Sequence, residues 1–284
     1  MSLFDFASKL VILFYAGGSL GTFWGIPSGK KKIQLTGRLL TLAGFAVHSL
    51  LVVGIVLVYG GEELSKGYFM QLLAWCVLLV YFIGWHKLRN SFLAITASPL
   101  ALLLVILASK LDNVQGKLPQ YLGELFLALH IVPIFFSLGL LALAFGAALL
   151  YLRLEGKIKS KSKLSGFDME LPALNYFDRI NARAVVWGFP LYTLALAAGF
   201  IWAPVSFGGE TSWRSGVWDP KELVSLFVWF LYAALFHLRL VNGWRGRKAA
   251  RLVILIFAIS VFSLIVVNFF MPTHHSFNIV PSGV

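Results

Sequence analysis

The chain alternates between long apolar stretches and short polar breaks. Eight stretches stand out, at about 5–26, 36–59, 69–86, 91–108, 122–151, 183–204, 221–241 and 250–271. Each holds roughly 17–25 residues or slightly more, the length a helix needs to cross about 30 Å of hydrocarbon. The runs are continuous and lack the two-residue alternation of a transmembrane β-strand, and lipid admits only helices or closed barrels. The pattern therefore predicts an all-α polytopic membrane protein with about eight transmembrane helices. The fourth stretch is the weakest, because Pro99 interrupts it and favours a kink or a tilt.

Composition supports this reading. The 284 residues are 59% hydrophobic and only 13% charged, against about half apolar and a quarter charged in soluble domains. The net charge of +12 would suit a nucleic-acid partner, but its distribution argues otherwise. Eighteen of the 24 lysines and arginines fall after spans one, three, five and seven. Such a bias marks the inner side of a membrane, so both termini and the even-numbered loops are expected on the outer face. The N-terminal stretch has no small-residue cleavage site and reads as a retained span. Cys76 is the only cysteine, which excludes an internal disulfide, a CxxC pair or a thiolate metal site.

Two parts follow from the spans. Residues 1–120 carry the first four. Residues 121–284 carry the other four, with an outer tryptophan-rich loop at about 203–220. The segment 155–182 reads as a flexible basic linker followed by a short amphipathic piece, Leu171–Ile180, lying on the inner surface.

The polar island Trp213-Arg214-Ser215-Gly216-Val217-Trp218-Asp219-Pro220-Lys221-Glu222 holds most of the candidate chemistry. Asp219 followed by Pro220, with Glu222 three positions on, has the form of a helix N-cap with Pro at N1 and a capping box. Trp202, Trp213 and Trp218, with glycines between them, suit a platform for a large planar ligand, although tryptophans also anchor helices at membrane interfaces. Among the six histidines, His86 sits at a span end beside Lys87 and Arg89 and reads as an interfacial residue. His48 and His237 lie within spans, where either a hydrogen bond to another helix or a ligand role accounts for them. His130, about 12 Å below the outer surface at 1.5 Å per residue, and His274 with His275 in the C-terminal tail flank the tryptophan loop. Imidazole is a standard axial ligand of haem iron. Arg214 and Lys221 would then neutralise haem propionates. No Ser/His/Asp set, phosphate loop or zinc-like ligand spacing competes with this reading.

At these residues the chain resembles the CcsA/ResC family of cytochrome c biogenesis proteins, part of the haem-handling group defined by a tryptophan-rich WWD segment. The resemblance covers about residues 121–278. It rests on Leu129-His130, Gly188-Phe189-Pro190, Gly199-Phe200-Ile201-Trp202-Ala203, Trp218-Asp219-Pro220-Lys221-Glu222, His237-Leu238-Arg239, Gly243-Trp244-Arg245-Gly246-Arg247 and His275-Ser276-Phe277. The segment before Trp218 departs from the family's Trp-Gly-x-Tyr-Trp pattern.

The resemblance implies export of haem b and its attachment to CxxCH motifs of an apocytochrome c at the outer face of a bacterial inner membrane. In that role the chain is a holocytochrome c synthase component. The implied partners are a separate ResB/CcsB-type membrane protein, the apocytochrome and a thioredoxin-like thiol reductant, with no nucleic acid. Carried over by position, His130 and His275 would be the outer axial ligands and the catalytic pair. Trp202, Trp213, Trp218 and Asp219 would form the platform. His237 would be a transmembrane haem ligand, with His48 as its possible partner within the chain. Two other functions share these features: a HemX-like accessory protein of haem synthesis, and a b-type haem electron carrier.

Overall fold

The structure, a computed structural model, describes residues 3–59, 66–88, 92–111, 125, 127–164, 166–206 and 219–267. The described residues form helices α1 (Leu3–Gly25), α2 (Lys31–Tyr59), α3 (Lys66–Leu88), α4 (Ala94–Ser109), α5 (Val132–Lys159), α6 (Gly166–Glu170), α7 (Leu174–Ser206), α8 (Pro220–Leu240) and α9 (Arg247–Phe262). A single π-helical turn, Leu127–Ile131, leads into α5, and another, Ser263–Val267, continues α9.

Seven of the described helices are long and apolar enough to cross a membrane. The exception among the expected spans is α4. Its 16 residues reach only about 24 Å at 1.5 Å per residue, short of the hydrocarbon core. One face meets protein, with Ala97, Ser98, Ala101, Leu104, Val105 and Ala108 buried. It packs against α1, α3 and α5, while Leu103 and Ile106 stay exposed.

The helices form two groups that share α5. In the first, α1 pairs with α2 and packs on α4, while α3 packs on α4 and α5. Lipid is as apolar as leucine, so close backbone approach must hold such helices together. The α1–α2 pair is built for it: a Cβ on Gly21 would stand 2.6 Å from the Cα of Gly37. Ser19 Oγ bonds Ser98 Oγ at 2.9 Å and Trp75 Nε1 donates to Ser49 Oγ at 2.8 Å, adding polar contacts between helices. In the second group, α5 packs on α7 and α9, and α8 closes the bundle against both. Here Ser137 donates to the Gly188 carbonyl at 2.8 Å and Trp229 Nε1 to Thr193 Oγ1 at 3.0 Å.

The reading of 155–182 as a flexible linker needs correction. Helix α5 runs on to Lys159, and α7 begins at Leu174 and continues unbroken through the span. The Leu171–Ile180 piece is thus largely the first turns of a membrane helix. The reason lies in its buried face: Phe177, Asn181, Ala184, Gly188 and Tyr192 recur every three or four residues without a break. Asp178 completes the join. It accepts from Arg239 at 3.1 Å and from the Gly246 backbone N–H at 2.9 Å, and Arg239 also donates to Asn181 at 2.8 Å. Nearby, Asp168 accepts from Arg153 at 2.8 Å and Glu155 pairs with Lys159 at 2.7 Å. The basic ends of the helices are therefore a tied ionic layer rather than a loose loop.

Candidate functional site

The opposite end of the second group, where α5 and α8 begin, holds the described candidates His130, Asp219 and Lys221. His130 lies in the π-turn before α5. Pro133, at the start of α5, has no N–H to give to the carbonyl four residues earlier, and a widened turn is a local answer to that gap. His130 lies within the described part of the span, Ala128–Lys159.

The ring of His130 is fixed by α7. Its Nδ1 lies 2.7 Å from the Ala195 carbonyl oxygen. A carbonyl only accepts, so Nδ1 carries the proton, and in the neutral ring Nε2 carries the lone pair. One turn on, Gly199 lets the ring lie against the helix: a Cβ there would stand 2.7 Å from Cε1. Metal-binding imidazoles are oriented in the same way, by a hydrogen bond at the nitrogen that does not bind the metal.

At the start of α8, Asp219 is the N-cap. Its φ and ψ of −66° and 130° are extended, and its carboxylate accepts the Lys221 backbone N–H at 2.7 Å. Pro220 follows at the first helical position, where a missing N–H costs nothing. Lys221 sends its Nζ across to α9, 3.3 Å from the Ser263 carbonyl oxygen at the head of the second π-turn.

The two histidines within spans are not brought together. His48 on α2 is fully buried among the N-terminal helices, with its Nδ1 2.9 Å from the Tyr15 hydroxyl. His237 is exposed on α8, along a stripe with Leu223, Phe227, Phe230 and Ala234 that faces away from α7 and α9. The packing partners of α2 are α1 and α3, whereas those of α8 are α7 and α9. The backbone of Trp202 belongs to α7. Trp213, Arg214, Trp218, His274 and His275 lie outside the described residues.

Comparison with known proteins bears directly on this end of the bundle. Residues 65–275 match the family model described as "Cytochrome C assembly protein". The chain belongs to that family. The match runs from α3 past the second π-turn, so it takes in His130, the α8 cap and the His237 face together. The protein named "Cytochrome c biogenesis protein CcsA" from Guillardia theta is 26% identical over 260 residues, covering 82% of this chain and 85% of the relative. Its namesake from Prochlorococcus marinus strain NATL1A is 30% identical over 234 residues, 72% of each chain. That from Pyropia yezoensis is 24% identical over 287 residues, covering 84% and 87%. These three alignments span most of both chains.

Sequence reasoning missed the supporting residues. Gly199 stands inside a quoted motif, Gly199-Phe200-Ile201-Trp202, yet nothing in the string links it to His130. Ala195 and Ser263 act through backbone carbonyls, which leave no trace in residue type. Asp178 and Asn181 do carry a signal: two polar residues three apart on an otherwise apolar helix face.

Proposed function

We propose that this protein receives haem within the membrane and presents it at its non-basic end for attachment to an apocytochrome c. The family assignment places the chain in cytochrome c biogenesis. The positive-inside bias supports the non-basic end as the outer face, toward a periplasm, a cell exterior or a thylakoid lumen. The observation that carries the reading is His130, held through Nδ1 so that Nε2 has the lone pair an iron requires.

In this reading His130 and His275 are the axial ligands of the presented haem, and the tryptophans around Trp202, Trp213 and Trp218 cover its face. The incoming CxxCH histidine displaces one ligand and brings two thiols beside the vinyl groups. Each thiol adds across a vinyl double bond: a carbon–sulfur bond forms and the thiol proton ends on the neighbouring carbon. That addition is redox-neutral. It requires the thiols to arrive reduced, the task of a separate thioredoxin-like protein. The protein's contribution is positioning.

His237 carries a second part of the reading. An ionisable ring on an outward helix face is costly in lipid, which supports a ResB/CcsB-type partner helix covering it, with haem held between the two chains. The HemX-like and electron-carrier alternatives have no comparable support from the described geometry.

The test is an absorption spectrum of the protein purified with its ResB/CcsB-type partner. Low-spin haem in the wild type, lost from the outer site in His130→Ala and His275→Ala together with cytochrome c maturation, is expected. Absence of any low-spin haem from the purified complex would falsify the proposal.

A further inference from the structure

Arg183 stands within the described span of α7, Leu174–Ile201, on an exposed row with Arg179, Trp187, Pro190 and Leu194. Arg153, Arg239 and Arg247 each meet an acid, whereas no carboxylate pairs with Arg183 among the described residues. An exposed charge inside a span is costly and marks a functional candidate. Trp187, one turn further along α7, is 69% exposed, and tryptophan gathers at the boundary between membrane and water. Arg183 therefore stands at the level where the carboxylates of an amphiphile meet water.

Its counterpart on α8 is His237. Arg239 donates to Asn181 at 2.8 Å, and the rings of Phe236 and Phe189 lie 4.9 Å apart. Arg183 falls between the two α7 residues of these contacts and His237 between the two α8 residues, so both belong to one short stretch of the α7–α8 pair. Both are exposed. Helix α7 packs on α5, α8 packs on α9, and α5 packs on α9, so the outward sides of α7 and α8 form one surface. Helical Cβ atoms lean toward the N-terminus. Arg183 thus leans toward the basic end, where α7 begins, and His237 leans away from it, because α8 runs the other way. A ring ligated at His237 lies farther from the basic end than the guanidinium does, and a carboxylate edge turned toward that end meets Arg183. Around them the surface is apolar, with Val186 and Pro190 on α7 and Phe230, Ala233 and Ala234 on α8.

We propose that Arg183 binds a propionate of the haem held at His237 and so decides which edge of the ring faces the basic end. A guanidinium presents paired N–H donors that match a carboxylate. The inference rests on the reading of His237 as a haem ligand. The experiment uses the complex with the ResB/CcsB-type partner, in a His130→Ala background so that the outer site does not report. This parent and its Arg183→Gln, Arg183→Leu, Arg183→Lys, Arg179→Gln and His237→Ala derivatives are titrated with haem and, separately, with haem dimethyl ester, which has no free propionate. Arg183→Gln and Arg183→Leu should bind haem about tenfold more weakly, the scale of one charge-assisted hydrogen bond, and should bind the ester as the parent does. Their bound haem should stay low-spin, because His237 is intact. Arg183→Lys, which keeps the charge, should recover much of the affinity for haem. Leucine suits a lipid-facing position, so Arg183→Leu carries the test should Arg183→Gln fail to accumulate.

The inference is overturned if Arg183→Gln and Arg183→Leu bind haem as the parent does, the result for an arginine that only meets lipid headgroups. It is equally overturned if affinities for haem and ester fall together, the mark of a structural loss. A loss in Arg179→Gln as large as that in Arg183→Gln also overturns it, because a diffuse basic surface would then account for both. A low-spin spectrum retained by His237→Ala would instead remove the ligand reading itself, whatever the Arg183 variants show.

Discussion

The two halves of the molecule each hold a histidine against a neighbouring helix, with opposite results. In the N-terminal group His48 is fully enclosed, and its Nδ1 meets the Tyr15 hydroxyl at 2.9 Å. In the C-terminal group His130 is only half-buried, and its Nδ1 meets the Ala195 carbonyl at 2.7 Å. A hydroxyl gives or accepts, so Tyr15 leaves the tautomer of His48 open. A carbonyl only accepts, so Ala195 fixes that of His130. The same residue type is thus an interhelical clamp in one place and, in the proposed function, an oriented ligand in the other. Partner atom and burial make the difference.

The sharpest way to break this comparison is to remove both rings. His130→Ala should abolish cytochrome c maturation while the protein still accumulates in the membrane. His48→Ala should lose a buried hydrogen bond, a net effect of about 1 kcal/mol, plus whatever packing the ring supplies. Its maturation should fall only as far as protein abundance does. Haem staining of cytochrome c, normalised to immunoblotted protein, measures both. A His48→Ala protein that is abundant but inactive would move His48 from clamp to function.

Much of the fold was legible because lipid restricts the choices. Continuous apolar runs and the sorting of cations gave the spans, and Asp219-Pro220 announced the start of α8. The missed features have physical reasons. The cations of α5 and α7 look like loop residues in a string, yet long basic side chains extend from a helix end to water, and Arg153 and Lys159 find acids there. The mount of His130 was invisible because its key acceptor is the backbone of an alanine.

Glycine offers a finer test of the same contrast. Gly21 and Gly199 both stand where a Cβ has no room, 2.6 Å from the Gly37 Cα in one case and 2.7 Å from the His130 ring in the other. Overpacking of this kind typically costs about 1–3 kcal/mol, so Gly21→Ala and Gly199→Ala should lower the melting temperature in detergent comparably. Only Gly199→Ala should also change the haem spectrum, because the atom it displaces belongs to the oriented ring. Equal spectra in the two variants would show that His130 does not depend on its seat against α7.

The smallest effect is expected at Asp219, and it separates a structural role from a chemical one. Its carboxylate accepts the Lys221 N–H at 2.7 Å as a helix cap. Replacing a capping side chain by alanine costs about 1 kcal/mol, whereas asparagine caps as well as aspartate does. If capping is the whole role, Asp219→Asn should match wild type in melting temperature and in maturation. Asp219→Ala should then lose a few degrees and only a proportionate share of activity, since the cap also sets the first turn from which Lys221 reaches α9. An Asp219→Asn protein of wild-type stability that no longer matures cytochrome c would show that the negative charge itself acts on haem or on the apocytochrome. The aspartate of this polar segment would then belong with His130 rather than with His48.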